Sequence, residues 1–415
     1  MRARGRRNRM LLHKVFSAVC LFAALVGFAM AQRATAGSEI ETLENLLRKN
    51  PDDPVIVYNL AAEYAVKQDR RRTLDLLRQL AGLPGGLDPS QYRGFAFVRD
   101  EPEFKKLVAE IQRKNIPIVH SKPVFTFAER DLFPEGMAYD PVTRCVYAGS
   151  VKRKIVWTDA SGIEKELAAP GQDGLAIVLG LHLDAQRRLW AVSSAFPEIK
   201  GEGHAETGLF VYDLERHKLV KKILLPPNAP GFLNDVVTTA SGEAYTTNTS
   251  TGAVYFAGEH ESNLQEFLPA ETVPGANGIA LSDDGRTLFV AGDFGIYRVD
   301  LKTKAVQKLA KTGAAIIDGS IDGLYFYRNS LVGIQNGIHP GRIVRFYLDQ
   351  TLTRIDRWEI LEAYNPLFEN PTTGSFDGNS LLFFANTQSH KVTFGKPLPP
   401  VRELREIRIL RIPLS

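Results

Sequence analysis

Asn277-Gly278-Ile279-Ala280-Leu281-Ser282-Asp283-Asp284-Gly285-Arg286-Thr287-Leu288-Phe289-Val290 is the stretch that decides the fold. A polar residue and a glycine lead into alternating apolar positions. An Asp-Asp-Gly turn follows, and then a second apolar strand, so the segment reads as a β-hairpin. The same pattern recurs five more times. Glu135-Gly136-Met137-Ala138-Tyr139 leads to Val146-Tyr147-Ala148, and Leu179-Gly180-Leu181-His182-Leu183 to Leu189-Trp190-Ala191. Asn234-Asp235-Val236-Val237 leads to Ala244-Tyr245-Thr246, and Asp322-Gly323-Leu324-Tyr325-Phe326 to Leu331-Val332-Gly333. The last copy is Thr373-Gly374-Ser375-Phe376, leading to Leu381-Leu382-Phe383. First positions lie 44, 55, 43, 45 and 51 residues apart. This is the period of a four-stranded propeller blade, about 40–50 residues. Six copies predict an all-β six-bladed β-propeller over residues 125–415. The strictly alternating run Glu406-Ile407-Arg408-Ile409-Leu410-Arg411-Ile412 is expected to pair with the first strands of this region and close the ring.

Upstream, the texture is helical over residues 37–116. Ile40, Leu43, Leu46 and Leu47 recur at helical spacing. Helices are predicted over about 53–67, 70–81 and 102–114, the first opened by Asp52-Asp53-Pro54. Leu60-Ala61-x-x-Tyr64 followed by a second helix resembles one tetratricopeptide repeat. A single repeat cannot bury its own face. Two readings stand: a helical cap on the propeller, or a module that docks a protein partner. Residues 117–124 read as a linker.

The N-terminus, residues 1–36, reads as a secretory signal. Arg2, Arg4, Arg6, Arg7, Arg9 and Lys14 precede an apolar run at 15–30, and small-residue A-x-A sites follow. The protein is therefore expected to be exported, to the bacterial periplasm or beyond. An uncleaved anchor, and with it a membrane attachment, is the alternative, although the run is shorter than a comfortable span. Without these six cations the formal charge of +4 becomes 4 − 6 = −2. Charge therefore offers no reason to expect nucleic acid as a partner. Of the two cysteines, Cys20 lies in the signal and Cys145 is alone, so the mature chain has no internal disulfide.

Equivalent positions in a propeller face one axis, so the six first positions form a ring: Glu135, Leu179, Asn234, Asn277, Asp322 and Thr373. Four carry carboxylate or carboxamide oxygen. Such a set suits a hard divalent cation, Ca²⁺ before Mg²⁺, Mn²⁺ or Zn²⁺. Asn-Gly, Asn-Asp and Asp-Gly are also ordinary turn dipeptides, so each copy alone has a second reading. His182 follows the ring position by three residues, and alternation is expected to turn it from the axis. His339, in Gln335-Asn336-Gly337-Ile338-His339-Pro340, falls in a loop of the fifth blade. It reads either as a base near the axial opening or as an exposed loop histidine.

Pro134-Glu135-Gly136, Asn234-Asp235, the 277–290 segment and Ile321-Asp322-Gly323-Leu324 resemble the senescence marker protein/gluconolactonase family over about residues 125–390. The resemblance implies a central divalent metal, often Ca²⁺. Glu135, Asn277 and Asp322 match the family's metal ligands, and Asn234 matches a residue touching metal or substrate. Sugar lactonases carry an arginine two residues before Asn234, where this chain has Phe232. With Leu179, Phe232 points to a more apolar pocket, and Thr373 completes the substrate side. The expected activity is metal-assisted hydrolysis of a lactone or ester, with Asp322 or Glu135 assisting proton transfer and His339 as a further candidate. The alternative is a non-catalytic scaffold or ligand-binding propeller.

Overall fold

The computed structural model describes residues 36–83, 86–195, 205–229, 231–313, 316–393 and 396–414. The signal-like segment lies outside them, apart from Ala36.

Six sheets stand around one axis. Their innermost strands are Pro134–Asp140, Ile177–Leu183, Leu233–Thr238, Ile279–Leu281, Ile321–Phe326 and Gly374–Asp377. The chain is a six-bladed β-propeller preceded by helices. Most inner-strand residues are buried, because each strand is flanked by neighbouring blades as well as by its own sheet; the inner strand of blade six, Gly374–Asp377, is mostly half-buried. The apolar clusters lie between blades. One joins Ala138, Tyr147, Leu181 and Phe210 across blades one and two. Another joins Val237, Tyr245, Ile279 and Leu288 across blades three and four.

Ring closure uses both ends of the propeller chain. The strand Ile407–Pro413 pairs with Lys122–Phe127 on one side and Ser380–Phe384 on the other. Blade six therefore runs, outermost to innermost, 122–127, 407–413, 380–384, 374–377. Strands from both ends of the propeller chain thus complete one blade and fasten the ring. The first of these strands begins inside the stretch read as a linker.

The inner strands share an irregularity that the repeat pattern does not reveal. In blade one, Pro134 pairs with Ser150 but Met137 with Ala148, so one extra residue sits on the inner strand. The same β-bulge falls between Val178 and Leu181, between Leu233 and Val236, and between Ile321 and Leu324. In these four of the six blades the key residue and the one after it thus form a bulge at the axial end of the strand, a device that re-aims side chains. A β-carbon on Gly136 would lie 1.9 Å from the Leu179 carbonyl oxygen, and one on Gly278 2.2 Å from that of Asp322. Glycine is required there because adjacent inner strands nearly touch.

Among the described residues four α-helices precede the propeller: α1 Ala36–Lys49, α2 Pro54–Val66, α3 Arg70–Gly82 and α4 Pro102–Lys114. Asp53 caps α2, its Oδ1 accepting from the Val55 and Ile56 N–H groups at 3.0 and 3.4 Å. The helices build one apolar cluster that also takes in Ile317 and Ile338 of the propeller. Polar contacts fix the join. Lys311 Nζ reaches Asp53 Oδ2 and Asp318 Oδ1, both at 3.0 Å. The Asp88 N–H donates to the His339 carbonyl at 2.7 Å. Ile118 forms a bridge with Ala363. Fully buried Glu362 accepts from the His120 N–H, the Ser121 N–H and hydroxyl, and the Asn365 amide. The segment is a cap packed on the propeller beside blade five.

Candidate metal centre

Inner strands end in pairs of residues at the axis, and four of the six first positions present oxygen. Glu135, Asn234, Asn277 and Asp322 are all buried, none more than 4% exposed. Asn277 Nδ2 donates to Asp322 Oδ1 at 3.3 Å and to the Ile321 carbonyl at 3.2 Å. That orientation leaves Asn277 Oδ1 buried with no hydrogen-bond partner among the described residues. Glu135 Oε2 is in the same state. Asn234 Nδ2 is fixed on Thr249 Oγ1 at 3.0 Å, and that hydroxyl donates to the Ala276 carbonyl at 2.6 Å, tying blade three to blade four.

The carboxyl groups feel one another. Burial, then Asp322, then Asp235 push the Glu135 carboxyl well above the usual carboxylate range. Burial also raises Asp322, against the amides of Asn336 and Asn277, which hold it down. Burial lifts Asp235 to about 7, although the backbone N–H groups of Val236 and Ile279 stabilise its anion at 2.9 and 3.2 Å. Buried like charges without a counter-cation favour protonation. Among the described residues no three His, Cys, Asp or Glu side chains form a ready metal cage. The centre depends on amide oxygens beside carboxylates. Two orphaned acceptors and two adjacent carboxylates fit a hard, oxygen-seeking cation.

Two functional candidates escaped the sequence reading. Asn336 Nδ2 donates to Asp322 Oδ2 at 2.5 Å. In sequence it stands in Gln335-Asn336-Gly337, a turn-like dipeptide with nothing to link it to Asp322. Asp235 did carry a signal. The second slot of the repeat reads Gly136, Gly180, Asp235, Gly278, Gly323 and Gly374, one acid among five glycines. Gly180 makes room for it, since a β-carbon there would lie 2.5 Å from Asp235 Oδ1.

Of the remaining expectations, Thr373 lines the axial cavity; Leu179, Phe232 and His339 do not. Thr373 donates its hydroxyl to the Glu135 carbonyl, as does Thr372 at 3.2 Å, so it braces the backbone of the ring. Leu179 and Phe232 are buried in one apolar cluster with Phe133, Leu233 and Trp190. Val392 and Leu404, from the loop between the last two strands of blade six, join that cluster. His339 turns to the helical cap: its Nε2 lies 3.9 Å from Asp88 Oδ2, and burial lowers its pKa. The structure therefore places this candidate base against Asp88, because Ile338 and the His339 carbonyl are drawn into the join. His182 is corrected in the other direction. It lines a cavity of about 390 Å³ on the axis with Asp235, Tyr325 and Phe376, and burial lowers its pKa to about 4. The bulge at Leu179-Gly180 breaks the alternation that was to turn it away.

No protein-family profile and no curated protein matches this chain. Among solved structures, a gluconolactonase from Xanthomonas campestris aligns with TM-score 0.49 and 15% identity, over 72% of this chain and 94% of its own. A calcium-binding regucalcin from Agrobacterium tumefaciens aligns with TM-score 0.46 and 18% identity, covering 65% and 87%. A virginiamycin B lyase from Staphylococcus aureus gives 0.46 and 14%, covering 70% and 99%. At such identities the likeness is one of architecture, and propellers of this kind serve different chemistries.

Proposed function

We propose that this chain is a divalent-metal-dependent hydrolase of a lactone or ester, exported by its N-terminal segment. The observation that carries the reading is the pair of buried, unpartnered oxygens, Glu135 Oε2 and Asn277 Oδ1, beside the carboxylate of Asp322. Leaving such acceptors unsatisfied costs about 1–3 kcal/mol each. A cation held by Glu135, Asn234, Asn277 and Asp322 would offset that cost. Oxygen-only donors favour Ca²⁺. When bound, the ion supplies Lewis-acid polarisation of a carbonyl. Asp322 or Glu135 would accept the proton of an attacking water. Leu181, Leu324 and Phe376, which line the axial cavity, favour a substrate less polar than a sugar acid.

The test is a lactone and ester panel with Ca²⁺, Mg²⁺, Mn²⁺ or Zn²⁺ added back after chelation. Cation-dependent turnover that disappears in Asn277→Ala and Asp322→Ala, with the fold retained, supports the reading. Full turnover in both variants would overturn it.

A further inference from the structure

We infer that Asn336 is a positioning residue for Asp322, and that the helical cap holds it in place through the loop at 336–341. For what the centre binds, this rests on the cation reading above; the clamp itself consists of contacts within the chain. The loop is pinned at both ends. Gln335 Nε2 donates to the carbonyls of Ile317 and Gly319 at 3.0 and 2.7 Å. Buried Arg342 donates its Nε to Gln335 Oε1 at 2.8 Å. Between these pins the loop faces two ways. Asn336 Nδ2 holds Asp322 Oδ2 at 2.5 Å. Two residues on, Ile338 is buried in the apolar cluster of the helical cap, and the His339 carbonyl accepts from Asp88. Three successive residues therefore cover the distance from ring to cap, a reach of roughly 10 Å at most. So short a tether, anchored in a packed cluster, leaves Asn336 little freedom to move while the cap stays docked. The amide in turn fixes the rotation of the Asp322 carboxylate. Partners that orient metal ligands in this way typically change affinity about 10–100-fold when removed.

The experiment uses the full chain with Asn336→Ala and Ile338→Ala. Val211→Ala, buried in blade two, controls for simple loss of stability. Ile338→Val replaces Ile338→Ala if the larger cut does not fold. Hydrogen exchange of backbone amides at 319–324 is read without added cation, and Ca²⁺ affinity by titration. Faster exchange at 321–323 in both clamp variants, and Ca²⁺ binding weakened about 10–100-fold, are expected; the control should show neither. A folded Ile338 variant with wild-type exchange at 321–323 would overturn the clamp. If the wild-type chain binds no Ca²⁺, the metal reading fails, while the exchange data still decide the clamp.

Discussion

Asn277 gives its amide protons to Asp322 Oδ1 and the Ile321 carbonyl, and its own Oδ1 is thereby left buried without a partner among the described residues. The two blades are stitched together by the donor end of the amide, and the acceptor end remains available at the axis. With Glu135 Oε2 in the same condition, the centre offers two buried acceptors to the cation proposed above.

Cation binding should therefore register as stability. At a Ca²⁺ concentration 100 times its Kd, the gain is about 2.7 kcal/mol. For a propeller of this size that corresponds to a rise in Tm of roughly 3–5 °C. Differential scanning calorimetry before and after chelation reads it. Asn277→Ala and Asp322→Ala should lose the increment. An unchanged Tm on chelation, with no metal detected by elemental analysis, counts against the site.

The sign of the pH dependence follows from the raised carboxyl groups. Glu135, Asp322 and Asp235 are easier to protonate in the folded chain than in the unfolded one, with Asp235 near 7. The folded state thus binds more protons over that range, and stability falls as pH rises. The cation-free protein should melt several degrees higher at pH 5 than at pH 7.5. Added Ca²⁺ should flatten the difference, and Glu135→Gln should shrink it. A cation-free Tm that rises between pH 5 and 7.5 contradicts the assignment.

Gly136→Ala should destabilise by about 3 kcal/mol or more, because the new methyl would stand 1.9 Å from a backbone oxygen that cannot rotate away. Gly285→Ala, where nothing lies within 4 Å, is the comparison, its positive φ of 67° costing about 1 kcal/mol. Denaturant unfolding of both variants measures the gap. Equal midpoints would mean that inner strands are not in close contact.

Lys311→Met should loosen the helical cap. It removes the cation shared by Asp53 and buried Asp318 and strands both carboxylates, a loss of about 3 kcal/mol. Limited proteolysis should then cut first between residues 36 and 120, before any blade. Wild-type resistance in that stretch would show that the apolar cluster with Ile317 and Ile338 suffices alone.

Much of the architecture is legible along the chain. The recurrence of a hairpin every 43–55 residues sets six blades, because each blade repeats one local pattern of turn and alternation. Helices α2 and α4 are readable from their starts, Asp53-Pro54 and Pro102; a 3.6-residue period marks the buried face of α4 (Phe104, Leu107, Ile111), whereas α2 is apolar and buried on most sides. The ring residues Glu135, Asn234, Asn277 and Asp322 are legible because equivalent positions of a closed repeat share one axis. Asn336 is not, since it reaches Asp322 across 14 residues and a strand.

The sequence by itself determined what is periodic: the number of blades, the position of each axial slot and the residue type that fills it. Tertiary structure alone decided what depends on meetings between distant segments. It set the bulges that move His182 onto the axial cavity and let Asp235 stand where five glycines would otherwise repeat. It drew His339 to Asp88 and away from the ring, and made the helical segment a cap. The physical reason is common to these cases. Alternation and turn chemistry act over a few residues, whereas a bulge, a docked face or a shared carboxylate is fixed only when neighbouring blades close around the axis and compete for the same space.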